Sequence, residues 1–113
     1  METTVIEGVL RIASGEPLTR LRGAIRLEDV TAADALSATR AEAPVSVEDG
    51  RDAADFRLTV EGPVDPGRRY VLRAELEGQG ADGAARSLGS TQAYPWRPDV
   101  PAAPLSIDVR PWG

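Results

Sequence analysis

The sequence predicts an all-β domain, a single-domain antiparallel β-sandwich of about seven strands. Three observations predict it. In residues 69–77, Tyr70, Leu72, Ala74 and Leu76 alternate with Val71, Arg73, Glu75 and Glu77, the two-residue period of a strand with one greasy and one mostly charged face. Several other short runs repeat that period, and clusters of Gly, Pro, Asp and Ser separate them. A strand of this kind is stable only with its apolar side against another layer, so the remaining runs must supply a second sheet or a closed barrel.

Taken in order, Thr3 to Ile12 reads as the first strand, with Val5 and Val9 on one side and Ile6, Leu10 and Ile12 on the other. Both faces carry apolar side chains, so periodicity alone leaves open which is the core. Ser14, Gly15, Glu16 and Pro17 supply turn chemistry. The second strand, Leu21 to Val30, points Ile25 and Leu27 inward and Arg26 and Glu28 outward. Thr31 and Asp34 have the spacing of a capping box and predict one short helical turn near residues 31–34. Asp29 and Asp34 read as capping and loop hydrogen-bonding groups.

Thr39, Ala41, Ala43, Val45 and Val47 make a third strand, and Pro44 inside it predicts a sheet edge or a bend, because proline cannot donate to a ladder. A solvated connection over 48–55 leads to a fourth strand with Phe56, Leu58 and Val60 inward. The turn-rich 62–67 segment delivers the chain to the 69–77 strand. Asp82 and Gly83 suit a hairpin turn. The sixth strand, Arg86 to Tyr94, alternates weakly, since Leu88 is its only large aliphatic side chain. Prolines 95, 98, 101 and 104 predict an extended connection with no ladder of its own. Leu105, Ile107 and Val109 close the chain as a seventh strand.

Composition narrows the function classes. The 113 residues carry 18 acidic side chains against 13 arginines, a formal charge of −5, with no Lys, His or Cys. Thiolate chemistry, Cys-based zinc sites, imidazole proton transfer and Schiff-base chemistry therefore have no residues to carry them. The acidic balance argues against nucleic acid as a partner. No apolar run reaches the ~20 residues of a membrane-spanning helix, and the chain begins without the basic-then-apolar layout of a signal peptide. No cofactor is expected.

Three segments, Leu27 to Asp34, Phe56 to Leu58 and Val64 to Leu76, with Thr91 to Pro95 beyond them, resemble the YbaY-like domain. That family includes the lipoprotein chaperones, or pilotins, of type III secretion systems, often called YscW-like. The resemblance spans roughly residues 5–96 and rests on the order and spacing of the segments as well as on residue types. It implies a compact β-sandwich without a catalytic site, binding a protein partner, a secretion or envelope component. In the pilotin branch such a domain helps a secretin ring reach its membrane and assemble. Envelope members carry a lipid-modified cysteine that this chain lacks, so the chain as written is expected in the cytoplasm. A trimmed lipoprotein domain is expected in the periplasm or cell envelope.

Both tryptophans lie beside prolines and arginines, in 94–98 and 110–112. That composition makes Tyr94, Trp96, Arg97, Arg110 and Trp112 the candidate partner-binding residues. The plainer reading is that Trp96 folds over one end of the sandwich and Trp112 covers an edge. An alternative function, a carrier of a small apolar ligand, would use a cleft at the sandwich end near Trp96. Glu48, Asp49, Asp52 and Asp55 lack the spacing of a calcium loop and read as a solvated connection. Glu75 and Glu77 share the outward face of one strand and read as solvent-side alternation.

Overall fold

The computed structural model describes residues 2–31, 38–90, 92, 94–99 and 105–112. Eight strands form: β1 (Thr3–Ile12), β2 (Thr19–Asp29), β3 (Ala38–Val47), β4 (Ala53–Glu61), β5 (Tyr70–Gln79), β6 (Ala85–Ser90), β7 (Tyr94–Trp96) and β8 (Leu105–Pro111). They belong to one sheet in the order β3-β2-β5-β6-β8-β1-β4, with β7 paired to β5 beside this path. The sheet curls until its two end strands, β3 and β4, run side by side. At one end these strands are joined by the 48–52 connection. At the other, the Arg40 guanidinium donates to the Pro63 carbonyl at 3.2 Å. The result is an all-β, sandwich-like domain whose two layers are halves of a single sheet nearly closed into a barrel.

The alternation along each strand decides which side faces in. Tyr70, Leu72, Ala74 and Leu76 of β5 are all buried, as are Ile25 and Leu27 of β2 and Phe56, Leu58 and Val60 of β4. In β1 the inward face is that of Ile6 and Leu10, while Val5 is left 42% exposed. Ile107 and Val109 of β8 and Leu88 of β6 complete the middle of the core. Full burial of an aliphatic side chain contributes about 1.5–3 kcal/mol before the entropy of ordering it is subtracted, so this layer drives folding.

The ladders are antiparallel with one exception, since β8 runs parallel to β1 from Gly8↔Leu105 to Ile12↔Val109. A parallel pair cannot be closed by a hairpin and requires a long crossover, which makes it invisible to local turn signals. Pro44 lies in β3, the terminal strand of the sheet, and faces Ala24 of β2. That is the edge position predicted for it.

Four details differ from the sequence expectations. The sixth strand ends at Ser90 rather than Tyr94, and the chain resumes as β7, which pairs Tyr70↔Trp96, Val71↔Pro95 and Leu72↔Tyr94. Pro95 therefore sits in a short ladder, tolerated because β7 is only three residues long and lies off the main strand path. Val71 and Glu28, expected on the outward face, are nearly buried there. Glu28 is neutralised by Arg73, whose Nε lies 2.5 Å from its carboxylate. The helical turn predicted near residues 31–34 is a separate matter: only Thr31 of that stretch is among the described residues, and the rest lies outside them.

Candidate functional site

The five candidate side chains occupy two separate places. Tyr94 and Trp96 stand on β7 opposite Leu72 and Tyr70, both inward-facing, so their rings are directed toward the core. Trp96 meets Tyr70 edge-on, with ring centroids 5.8 Å apart and planes at 66°. The Tyr94 hydroxyl accepts the amide of Asp108 at 2.9 Å and ties β7 to β8. Both rings are half-buried and pack against the core cluster. Next to them Arg97 forms a two-point ion pair with Asp99, both contacts at 3.2 Å. The Arg97 guanidinium holds the Asp99 carboxyl below its ordinary range.

Arg110 and Trp112 lie elsewhere, on the outward face of β6 and β8. Leu88 points into the core, so its neighbour Gly89 points out, and Gly89 faces Glu75 on one side and Arg110 on the other. The Trp112 indole lies over Gly89, in the space a side chain there would fill. The indole is the reason Gly89 is buried although it faces outward. The Trp112 amide donates to the Ser87 carbonyl at 3.0 Å, which extends the β6–β8 ladder and fixes the base of the side chain. The ring's other side remains in solvent, leaving the residue 57% exposed. By ladder register Trp96 is level with Tyr70 and Trp112 with Glu77, so the two indoles are separated by roughly 20 Å along the strands and by the thickness of the sheet.

The outer face next to Trp112 is not flat. Two shallow grooves, of about 480 Å³ and 650 Å³, cross β3, β2 and β5 and share Arg22, Ser46 and Glu77. Gly23, Ala24 and Gly78 are among the residues lining them, and the larger groove reaches Ser87, the residue that holds the Trp112 backbone. Gly23 is there of necessity, since a side chain at that position would run into the Glu75 carbonyl. Small residues in a strand let another backbone come close. Arg26 and Glu75 bridge this face at 3.1 Å.

Two of the acidic groups, Asp29 and Asp49, carry structural tasks. The Asp29 carboxylate accepts the Thr31 hydroxyl at 2.5 Å, the Thr31 amide at 2.9 Å and the Arg68 guanidinium at 2.9 Å. The Thr31 bonds come first, then Arg68, in holding Asp29 below its ordinary pKa. Asp49 accepts the amide of Arg20 at 2.9 Å. Arg20 has a φ of 55° and is the non-glycine residue with a left-handed backbone among those described. Sequence reasoning missed Gly89 and the groove, because both depend on which strands become neighbours.

No protein-family model matches the sequence, and no curated protein matches it either. A solved structure does: an alternative pilotin from the type II secretion system of Vibrio cholerae superposes with a TM-score of 0.77. The chain has a pilotin-like fold. The match covers 99% of this chain and 99% of that one, at 18% sequence identity. The likeness is thus in the path of the backbone, with most side chains changed, and it includes the curled sheet from β1 through β8.

Proposed function

We propose that this chain is a non-enzymatic accessory domain that binds a protein partner, a secretin or another secretion component, in the manner of a pilotin. The end-to-end fold likeness to a type II pilotin is the observation that carries the reading. The YbaY-like and type III branch resemblance of residues 5–96 agrees with it and names the finer placement we favour.

The surface assigned to the partner is the outward face around Trp112 and Arg110, continuing into the groove lined by Arg22, Ser46 and Glu77. Three features support that choice. A tryptophan more than half exposed leaves a large apolar area in water, where a partner can bury it. Its base is fixed by the Ser87 bond, so little ordering entropy is lost on contact. The groove beside it has small residues in its lining and charges of both signs on its walls. Tyr94, Trp96 and Arg97 are assigned a supporting role, closing the other end of the core and holding β7 to β5 and β8.

The test is direct binding between the purified domain and the C-terminal segment of the secretin from the same genome, with the wild type and Trp112→Ala compared. Binding by the wild type that weakens at least tenfold in the variant, with an unchanged melting temperature, supports the reading. Equal binding by both moves the interface off Trp112, and absence of binding to any secretin segment removes the pilotin-like role.

A further inference from the structure

The charges on the outward face of β3, β2, β5, β6 and β8 fall into two sets. Arg26 is bridged to Glu75, and Arg73 to Glu28. Arg22, Glu42, Glu77 and Arg110 are exposed and enter no ion pair among the described residues. Two further charges at the margins are turned elsewhere. Arg40 donates to the Pro63 carbonyl, and Asp108 stands opposite Arg11 of β1.

Ladder register fixes where the four unbridged groups stand. Arg22 of β2 is paired with Glu77 of β5. Two residues along, a row across the sheet reads Pro44, Ala24, Glu75, Gly89 and Arg110. One margin, on β3, thus carries the carboxylate of Glu42 beside the exposed ring of Pro44. The other carries the Arg110 guanidinium beside the Trp112 indole, which lies over Gly89. Between them the groove of about 480 Å³ has Gly23, Ala24 and Pro44 in its lining.

Such a face is complementary to itself. In a symmetric pair one patch serves both copies, so each feature must find its counterpart elsewhere on the same patch. A twofold axis parallel to the strands, passing between β2 and β5, lays β2 over β5 of a second copy and β3 over its β6. Arg22 then comes over Glu77 of the second copy, and Glu77 over its Arg22. Pro44 comes over Gly89 and the indole on it, and the two rings together fill the ~10 Å usual between packed sheets. Glu42 lies one strand and two residues from Arg110 of the second copy, roughly 13 Å between Cα atoms, a span that extended Arg and Glu side chains close. Arg26 comes over Arg73, but each already holds a carboxylate.

We infer that this chain forms a symmetric dimer through its outward face, with each Trp112 seated on Pro44 of the second copy and each Arg110 paired with its Glu42. Four strands at ~4.8 Å spacing make the contact roughly 19 Å wide, below the size of an obligate interface, so half-dimerisation is expected near ~0.1 mM. The dimer hides the surface assigned above to a protein partner, and a second copy and that partner therefore compete. Only this competition rests on the pilotin-like reading; the dimer does not.

The test is sedimentation equilibrium of the whole chain from about 5 µM to about 0.5 mM. A concentration-dependent monomer–dimer equilibrium is expected, weakened about tenfold or more by Trp112→Ala. Glu42→Arg and Arg110→Glu should each weaken it about tenfold alone, since each puts like charges together twice in a symmetric pair. Mixed in equal amounts, those two variants restore both attractions and should regain dimer. The charge variants also keep the assignment testable should Trp112→Ala misfold. A chain that stays monomeric throughout, a dimer indifferent to a folded Trp112→Ala, or two weakened charge variants that do not recover on mixing would each overturn it. No secretin is present, so failure here is distinct from failure of partner binding.

Discussion

The Trp112 indole covers the backbone of Gly89, three strands away from the edge at β3, and in doing so fills the place of a side chain that residue 89 does not have. Glycine in a strand interior costs about 0.5–1 kcal/mol relative to alanine, and an aromatic ring laid over it returns part of that by covering the exposed ladder. The same contact holds the indole against the sheet while the residue stays 57% exposed. Structure and proposed function thus depend on one pair of residues.

Gly89→Val should displace the ring. We expect a loss of about 1–3 kcal/mol in urea unfolding, typical of forcing bulk into an occupied space, together with greater acrylamide quenching of Trp112. Retention of both wild-type values would mean that the indole does not rest on Gly89 in solution.

Asp29 gives the domain an acid-sensitive joint. Its carboxylate, bound by Thr31 and Arg68, links the end of β2 to the start of β5, where Val30 also donates to the Arg69 carbonyl at 2.8 Å. Its folded pKa is lowered, so its contribution is fully present above the unfolded value of about 3.9 and is lost as pH falls through the folded value. Asp29→Asn should therefore be less stable than wild type at neutral pH and converge with it as pH falls through the lowered folded value. Urea midpoints measured between about pH 2 and pH 7 check this; two parallel curves would refute it.

Leu72 is fully buried at the centre of β5, between β2 and the β6–β7 side, whereas Val5 is 42% exposed on β1. Leu72→Ala should cost about 2–5 kcal/mol and Val5→Ala less than about 0.5 kcal/mol. Chemical denaturation of the two variants tests whether Ile6 and Leu10, rather than Val5 and Val9, define the inward face of β1.

Amide exchange should follow the strand order. β5 has neighbours on both sides and should be the slowest element to exchange, with β3, the edge that carries Pro44, faster by at least tenfold. Protection of residues 40–47 equal to that of β5 would contradict the edge position.

Much of the fold could be read from the sequence because it was encoded locally. The alternation in β1, β2, β3, β5 and β8 placed those strands within a residue or two, whereas β4 begins at Ala53, three residues inside the stretch expected as a solvated connection; Pro44 marked an edge, since a missing amide has the same consequence in any tertiary setting. What escaped was non-local. The parallel pairing of β8 with β1 leaves no turn signature, and the break between β6 and β7 was hidden in a run of small residues with little periodicity. Glu28 looked like a solvent-side charge because its partner, Arg73, is 45 positions away. The aromatic candidates were found as a composition. Their division into Tyr94 and Trp96 against the core, and Trp112 on the outer face, depended on the register of β7 against β5 and of β8 against β6.

That division is also the most direct thing to measure. In Trp96→Phe the remaining emission comes from Trp112, and in Trp112→Phe from Trp96. Red-shifted emission readily quenched by acrylamide is expected from the first protein, and blue-shifted, poorly quenched emission from the second. Blue-shifted, shielded emission from both would place Trp112 in the interior and withdraw the surface on which the proposed partner binds.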